Sequence, residues 1–131
     1  MAAAFKFELV SPERILMSED IVEVLLPGTE GDYTVLAGHA PDMSILRPGV
    51  LKIKTAAGKD ERILVYGGLA EKSGEQLTVL AQRAVNTEGV DAAWIDAQKA
   101  DARSALDAAK SDDDKRLAQT LVDELDTLRA A

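Results

Sequence analysis

Cysteine is absent from this chain of 131 residues, so disulfides, thiolate nucleophiles and sulfur-ligated metals are excluded together. Aromatic side chains are scarce at 4%, which leaves a core to be built from valine, leucine and isoleucine. Histidine occurs once, so imidazole alone cannot make a metal site. Positive charge is also short: 15 lysines and arginines face 23 aspartates and glutamates, for a net charge of -8. That balance repels nucleic-acid phosphates and anionic headgroups, and it favours a basic protein partner. No apolar run is long enough to span a bilayer, which argues against direct membrane insertion. The opening residues Met-Ala-Ala-Ala-Phe-Lys-Phe-Glu have neither a signal peptide's apolar block nor the arginine-rich form of a transit peptide. A bacterial cytoplasmic protein, or one encoded within an organelle, is the expectation.

What is present is organised around Gly31 to Pro41, Gly-Asp-Tyr-Thr-Val-Leu-Ala-Gly-His-Ala-Pro. A turn glycine leads into the apolar and β-branched run Tyr33 to Leu36, and a second glycine precedes the sole histidine. Glycine and proline pin both ends, so a short strand between forced bends is expected. Upstream, Phe5, Phe7 and Leu9 alternate with Lys6, Glu8 and Val10 at the period of a half-buried strand. Further strand segments read at 14–17, 21–26, 43–46, 50–55, 62–66, 69–72 and 76–81. Turn signals divide them at Pro27-Gly28, Pro48-Gly49, Ala56 to Lys59, Gly67-Gly68 and Ser73 to Glu75. Short strands with no helical period between them predict an antiparallel β-sandwich or flattened barrel.

Near Asn86 the composition changes to alanine, glutamine, lysine and aspartate. One helix is expected from Val90 or Asp91 to about Lys110. A second follows Ser111-Asp112-Asp113-Asp114, with Leu117, Leu121, Leu125 and Leu128 at helical spacing. The first helix offers Ala102, Ala105 and Ala109 to those leucines. An α+β chain results, with a sandwich over 1–86 and an antiparallel helical hairpin over 87–131. Methyl groups bury little area, so the arm is expected to dock weakly and to move.

No recognisable catalytic constellation accompanies His39: Gly-x-Ser-x-Gly, His-Glu-x-x-His and the phosphate-binding glycine-lysine loop are all missing. Glu30 and Asp32 lie on a turn with no sign of desolvation, which reads as solvated charge or as a contact to a basic partner. Asp112 to Asp114 is expected to be a solvated loop containing a cap, and it lacks the glycine and distant glutamate of a calcium loop. Trp94 is expected to be an apolar anchor.

The segment Leu-Pro-Gly-Thr-Glu-Gly-Asp-Tyr-Thr-Val-Leu-Ala-Gly-His-Ala-Pro, residues 26–41, resembles the signature of the epsilon subunits of F-type ATP synthases, called delta in mitochondria. Val-Ser-Pro-Glu at 10–13, Arg-Pro-Gly-Val-Leu at 47–51, Tyr-Gly-Gly-Leu-Ala-Glu at 66–71 and Leu-Thr-Val-Leu-Ala at 77–81 agree in order and spacing. The resemblance implies a sandwich of about ten strands in a non-catalytic subunit of the central stalk. Its partners would be the gamma subunit and the membrane ring of c subunits, at the cytoplasmic face of the bacterial inner membrane. It also implies that Ser11, Glu30, Asp32 and His39 face the ring's polar loops, which carry a basic residue.

Some members bind ATP through an Ile or Leu-Asp-x-x-Arg-Ala pattern on the arm. Here an ungapped match falls on Val90, Asp91 and Trp94, while a shifted one uses Ile95, Asp96, Lys99 and Ala100 with Arg103 a turn later. Lysine keeps the charge and loses the bidentate fork. An arm reaching the alpha and beta subunits would regulate ATP hydrolysis, but the acidic Asp123, Glu124 and Asp126 oppose contact with acidic partners. Two rival readings stand beside this one: an unrelated sandwich that binds a basic soluble protein, and a small hydrolase built on His39.

Overall fold

A computed structural model describes residues 3–130; the outer limits of the expected sandwich and arm, residues 1 and 131, lie outside the described residues. The chain divides into two compact units, Met1–Asn86 and Thr87–Ala131. The first is built from β1 (Phe5–Val10), β2 (Ile15–Gly28), β3 (Gly31–Leu36), β4 (Asp42–Thr55), β5 (Asp60–Ser73), β6 (Gln76–Ala81) and β7 (Ala84–Asn86). Alternation holds as expected in β1, where Phe5, Phe7 and Leu9 are buried and Lys6 is exposed. The same holds in β4, where Leu51, Ile53 and Thr55 point inward.

Seven strands among the described residues replace the expected ten or so. The segments 14–17 and 21–26 are one bent strand, β2, and the next two pairs of segments fuse into β4 and β5 in the same way. Turn-forming residues interrupt the sequence pattern without interrupting the ladder. At Gly67 and Gly68 the backbone turns to φ 99 and 155, so β5 bends through them, and a Cβ on Gly68 would overlap the Leu80 carbonyl oxygen. The three residues of β7 carry no period to detect.

Each 14-residue strand serves two layers. The first half of β2 pairs with β1, and its second half with β3 and β4. The first half of β4 pairs with the last part of β5, and its second half with the start of β5. One layer therefore runs β3, β2, β4, β5, β7, and the other runs β2, β1, β6, β5, β4. Phe7, Leu26, Leu51, Val65 and Val79 fill the space between.

In the second unit a single 3-10 turn, Thr87–Gly89, precedes α1 (Ala92–Ala108) and α2 (Asp112–Ala130). Asp91 caps α1 by accepting the Trp94 amide at 2.8 Å. Ser111 Oγ accepts the Asp114 amide at 3.0 Å at the start of α2. Asp112 to Asp114 are thus the first turn of a helix, not a loop, where their charge suits the helix dipole. The inward face of α1 meets expectation at Ala102 and departs from it at Ala105. Ile95 and Ala102 are buried and Leu106 is half-buried, while Ala105 is exposed. The larger side chains set the helix phase, and the methyl groups follow. Val122 and Leu125 are buried on α2, whereas Leu117 is exposed.

Candidate docking surface

The turn between β2 and β3 consists of Thr29 and Glu30 between the paired glycines Gly28 and Gly31. Gly31 takes φ 131, a conformation that excludes most side chains. At Gly28 the backbone angle is ordinary and the space is not: a Cβ would lie 2.7 Å from the Gly31 oxygen and 3.1 Å from the Tyr33 ring. Strand β4 fastens this turn from the side. The Thr29 amide donates to the Ile45 carbonyl at 2.9 Å. Arg47 donates to the Gly28 carbonyl at 2.6 Å and to the Asp32 carboxylate at 2.5 Å. Tyr33 and Ser44 share a hydrogen bond between their hydroxyls.

The expected site residues differ in their settings. Glu30 and Asp32 are exposed, Asp32 in its pair with Arg47. His39 is half-buried, its Nδ1 2.9 Å from the Ala40 carbonyl and its ring 6.3 Å from that of Tyr33. The histidine therefore reaches the turn through the tyrosine. Thr29, Glu30, Tyr33, Asp42, Met43 and Ile45 line a groove of about 390 Å³ there. Ser11 lies elsewhere, in the β1–β2 turn, where its hydroxyl donates to the Arg14 carbonyl at 3.2 Å. From its neighbour Val10 the ladder runs through Leu80 and Leu69 to Ile45, three strand spacings or about 14 Å.

That ladder exposes a surface the sequence reading missed. Ile15, Val10, Leu80, Leu69 and Ile45 are successive cross-strand partners, so their side chains share one face of the sheet. Ile15 is 60% exposed, Leu80 48% and Ile45 63%. An apolar row about 19 Å wide thus crosses five strand segments and ends at the groove beside Glu30. A strand whose alternation places leucine or isoleucine on both faces is the signal that would have found it. Leu80 beside buried Val79 in β6 is the clearest case.

In the helical unit, two residues of the nucleotide pattern on α1 are paired with α2. Lys99 pairs with Asp126, and Asp96 with Arg129 at 3.3 Å. The hydrogen bond from Lys99 holds the Asp126 carboxyl below its ordinary value near 3.8; slight desolvation opposes this, and the charges of Lys99 and Arg103 add to it. Ile95 is buried, and Ala100 and Arg103 are exposed. In the ungapped placement, Asp91 is occupied as the helix cap. No metal-binding cluster occurs among the described residues.

Residues 4–87 match the family model for the ATP synthase delta/epsilon chain β-sandwich domain. The ATP synthase epsilon chain of Sinorhizobium medicae is 47% identical over 128 residues, covering 98% of this chain and 95% of that one. The epsilon chain of Brucella anthropi is 44% identical over 129 residues, covering 98% and 96%. Among solved structures, a chain of the Euglena gracilis mitochondrial ATP synthase superposes with a TM-score of 0.76 at 20% identity, covering 99% of this chain and 82% of that one. A chain from the central stalk and c-ring of the Tetrahymena thermophila enzyme gives 0.67 at 11%, covering 98% of each. These two likenesses concern the fold.

Proposed function

This chain belongs to the ATP synthase delta/epsilon family, and from that premise we propose how its surfaces divide the work of a rotor part. It is a non-catalytic subunit of the F-type ATP synthase central stalk, with gamma and the c ring as partners. The sandwich over 1–86 is the coupling element, seated between shaft and ring so that torque from proton flow passes through it. The fastened β2–β3 turn faces the ring, with Glu30 as its outward charge and His39 supporting it through Tyr33. Complementary charge at such a contact sets register more than raw affinity. Ser11, in the β1–β2 turn next to Val10, lies beyond the far part of the sheet and is a separate contact from the β2–β3 turn.

The apolar row from Ile15 to Ile45 is the seat for gamma. Its width suits a helical shaft, and desolvating leucine and isoleucine gives a contact that does not depend on salt. The arm over 87–131 is a separate regulatory element. The complex is peripheral to the membrane in this part, and no described helix is long and apolar enough to cross one. The cytoplasmic face of the bacterial inner membrane is the location we infer.

The single observation that carries the docking assignment is the exposed Glu30 on a turn immobilised by β4. Glu30→Lys is expected to leave folding intact and to lower proton-driven ATP synthesis in membrane vesicles. Wild-type synthesis in that variant would refute the assignment.

A further inference from the structure

We propose that Arg47 is the positioning residue of the ring-facing turn, and that Asp32 serves as its internal counter-ion rather than as a contact to the ring. The inference rests on reading that turn as the docking surface.

Arg47 lies within β4, just before Pro48, and its side chain reaches across to two acceptors on the neighbouring hairpin. Nη1 donates to the Gly28 carbonyl at 2.6 Å, and Nη2 to the Asp32 carboxylate at 2.5 Å. Those acceptors lie on either side of Thr29, Glu30 and Gly31, so one planar group spans the base of the turn. The geometry needs a rigid fork with two donors at a fixed separation. An ammonium can satisfy one acceptor and leaves the other open. From the same strand, the Ile45 carbonyl takes the Thr29 amide, which fixes the other side of the turn.

Charge is sorted by this arrangement. Asp32 spends its charge on the guanidinium, while Glu30 has no ion-pair partner among the described residues. Two carboxylates two residues apart therefore do different things: one orders the loop, and the other is presented. A freely moving turn would lose entropy on docking, and a fastened one has already lost it.

The test is a double-mutant cycle in the assembled ATP synthase, read as proton-driven ATP synthesis in native membrane vesicles, with thermal melting of the full chain as the folding control. Arg47→Gln is expected to lower synthesis about fivefold, the scale of one ordinary hydrogen bond lost from the ordering of the turn. In a Glu30→Gln background the same change is expected to cost less than about twofold, because Arg47 acts through Glu30 and coupled residues are non-additive. Asp32→Asn is expected to follow Arg47→Gln in both backgrounds. Should Arg47→Gln melt before assembly, Arg47→Lys replaces it in the cycle, with a smaller loss of the same pattern. Full additivity would overturn the inference, since Arg47 and Asp32 would then act independently of Glu30. So would wild-type synthesis in Arg47→Gln. If Glu30→Gln itself has no effect, the ring-facing reading fails, and this inference fails with it.

Discussion

At Gly28 there is no space for a side chain, and the consequence is measurable. Its Cβ would meet the Gly31 oxygen and the Tyr33 ring, at the point where Arg47 also takes the Gly28 carbonyl. Gly28→Ala is expected to destabilise the sandwich by about 1–3 kcal/mol, the usual cost of forcing an extra methyl into a filled site; urea melts of the full chain check it. Unchanged stability would mean the turn is looser than its contacts imply. Glu30 and Asp32 read from sequence as exposed charges on a turn, because turn chemistry is local, and they are exposed on one; their grouping with His39 as ring-facing residues came from the family resemblance. Arg47 could not be read that way. Its partners lie 15 and 19 residues earlier, and in the sequence it reads only as the residue before a proline-glycine turn.

The helical hairpin is closed by two ion pairs, Lys99 with Asp126 and Asp96 with Arg129, laid across an apolar seam of Ile95, Ala102, Val122 and Leu125. Because Asp126 is held below its ordinary value near 3.8, its contribution is fully present at neutral pH. It is lost as pH falls from that value through the lower folded one. Circular dichroism of the full chain is therefore expected to show an acid-dependent loss of helix stability that Asp126→Asn reduces. Salt should weaken the same pairs, which are partly exposed. Asp96 and Lys99 of the nucleotide pattern are taken up in these pairs, so isothermal titration with millimolar ATP is expected to release no heat. Saturable binding that disappears in Lys99→Ala would instead show that the pairs yield to a nucleotide. Both helices were legible from composition and capping residues. Which face of α1 turns inward was not, because a run of alanines fits several phases and only packing against a partner chooses one.

The whole molecule couples a stiff part to a separable one. Three strands of 14 residues each run through both layers of the sandwich, so the layers cannot slide past one another without breaking continuous backbone. That is the property a torque-bearing part requires. It was also the least legible feature: period-two alternation revealed strands and a sandwich, while bends at glycine and proline made each long strand look like two. If coupling belongs to the sandwich alone, a chain lacking residues 88–131 should still assemble and support ATP synthesis within about twofold, since the two units have separate cores. A strong rise in ATP hydrolysis on that deletion would assign the arm an inhibitory role. The most direct measurement is cross-linking in the assembled enzyme from Glu30→Cys and Leu80→Cys, with products identified by mass spectrometry. Products on the c subunit from position 30 and on gamma from position 80 are predicted; products on the catalytic subunits from both positions, or none on the c subunit from position 30, would contradict the placement of the sandwich between shaft and ring.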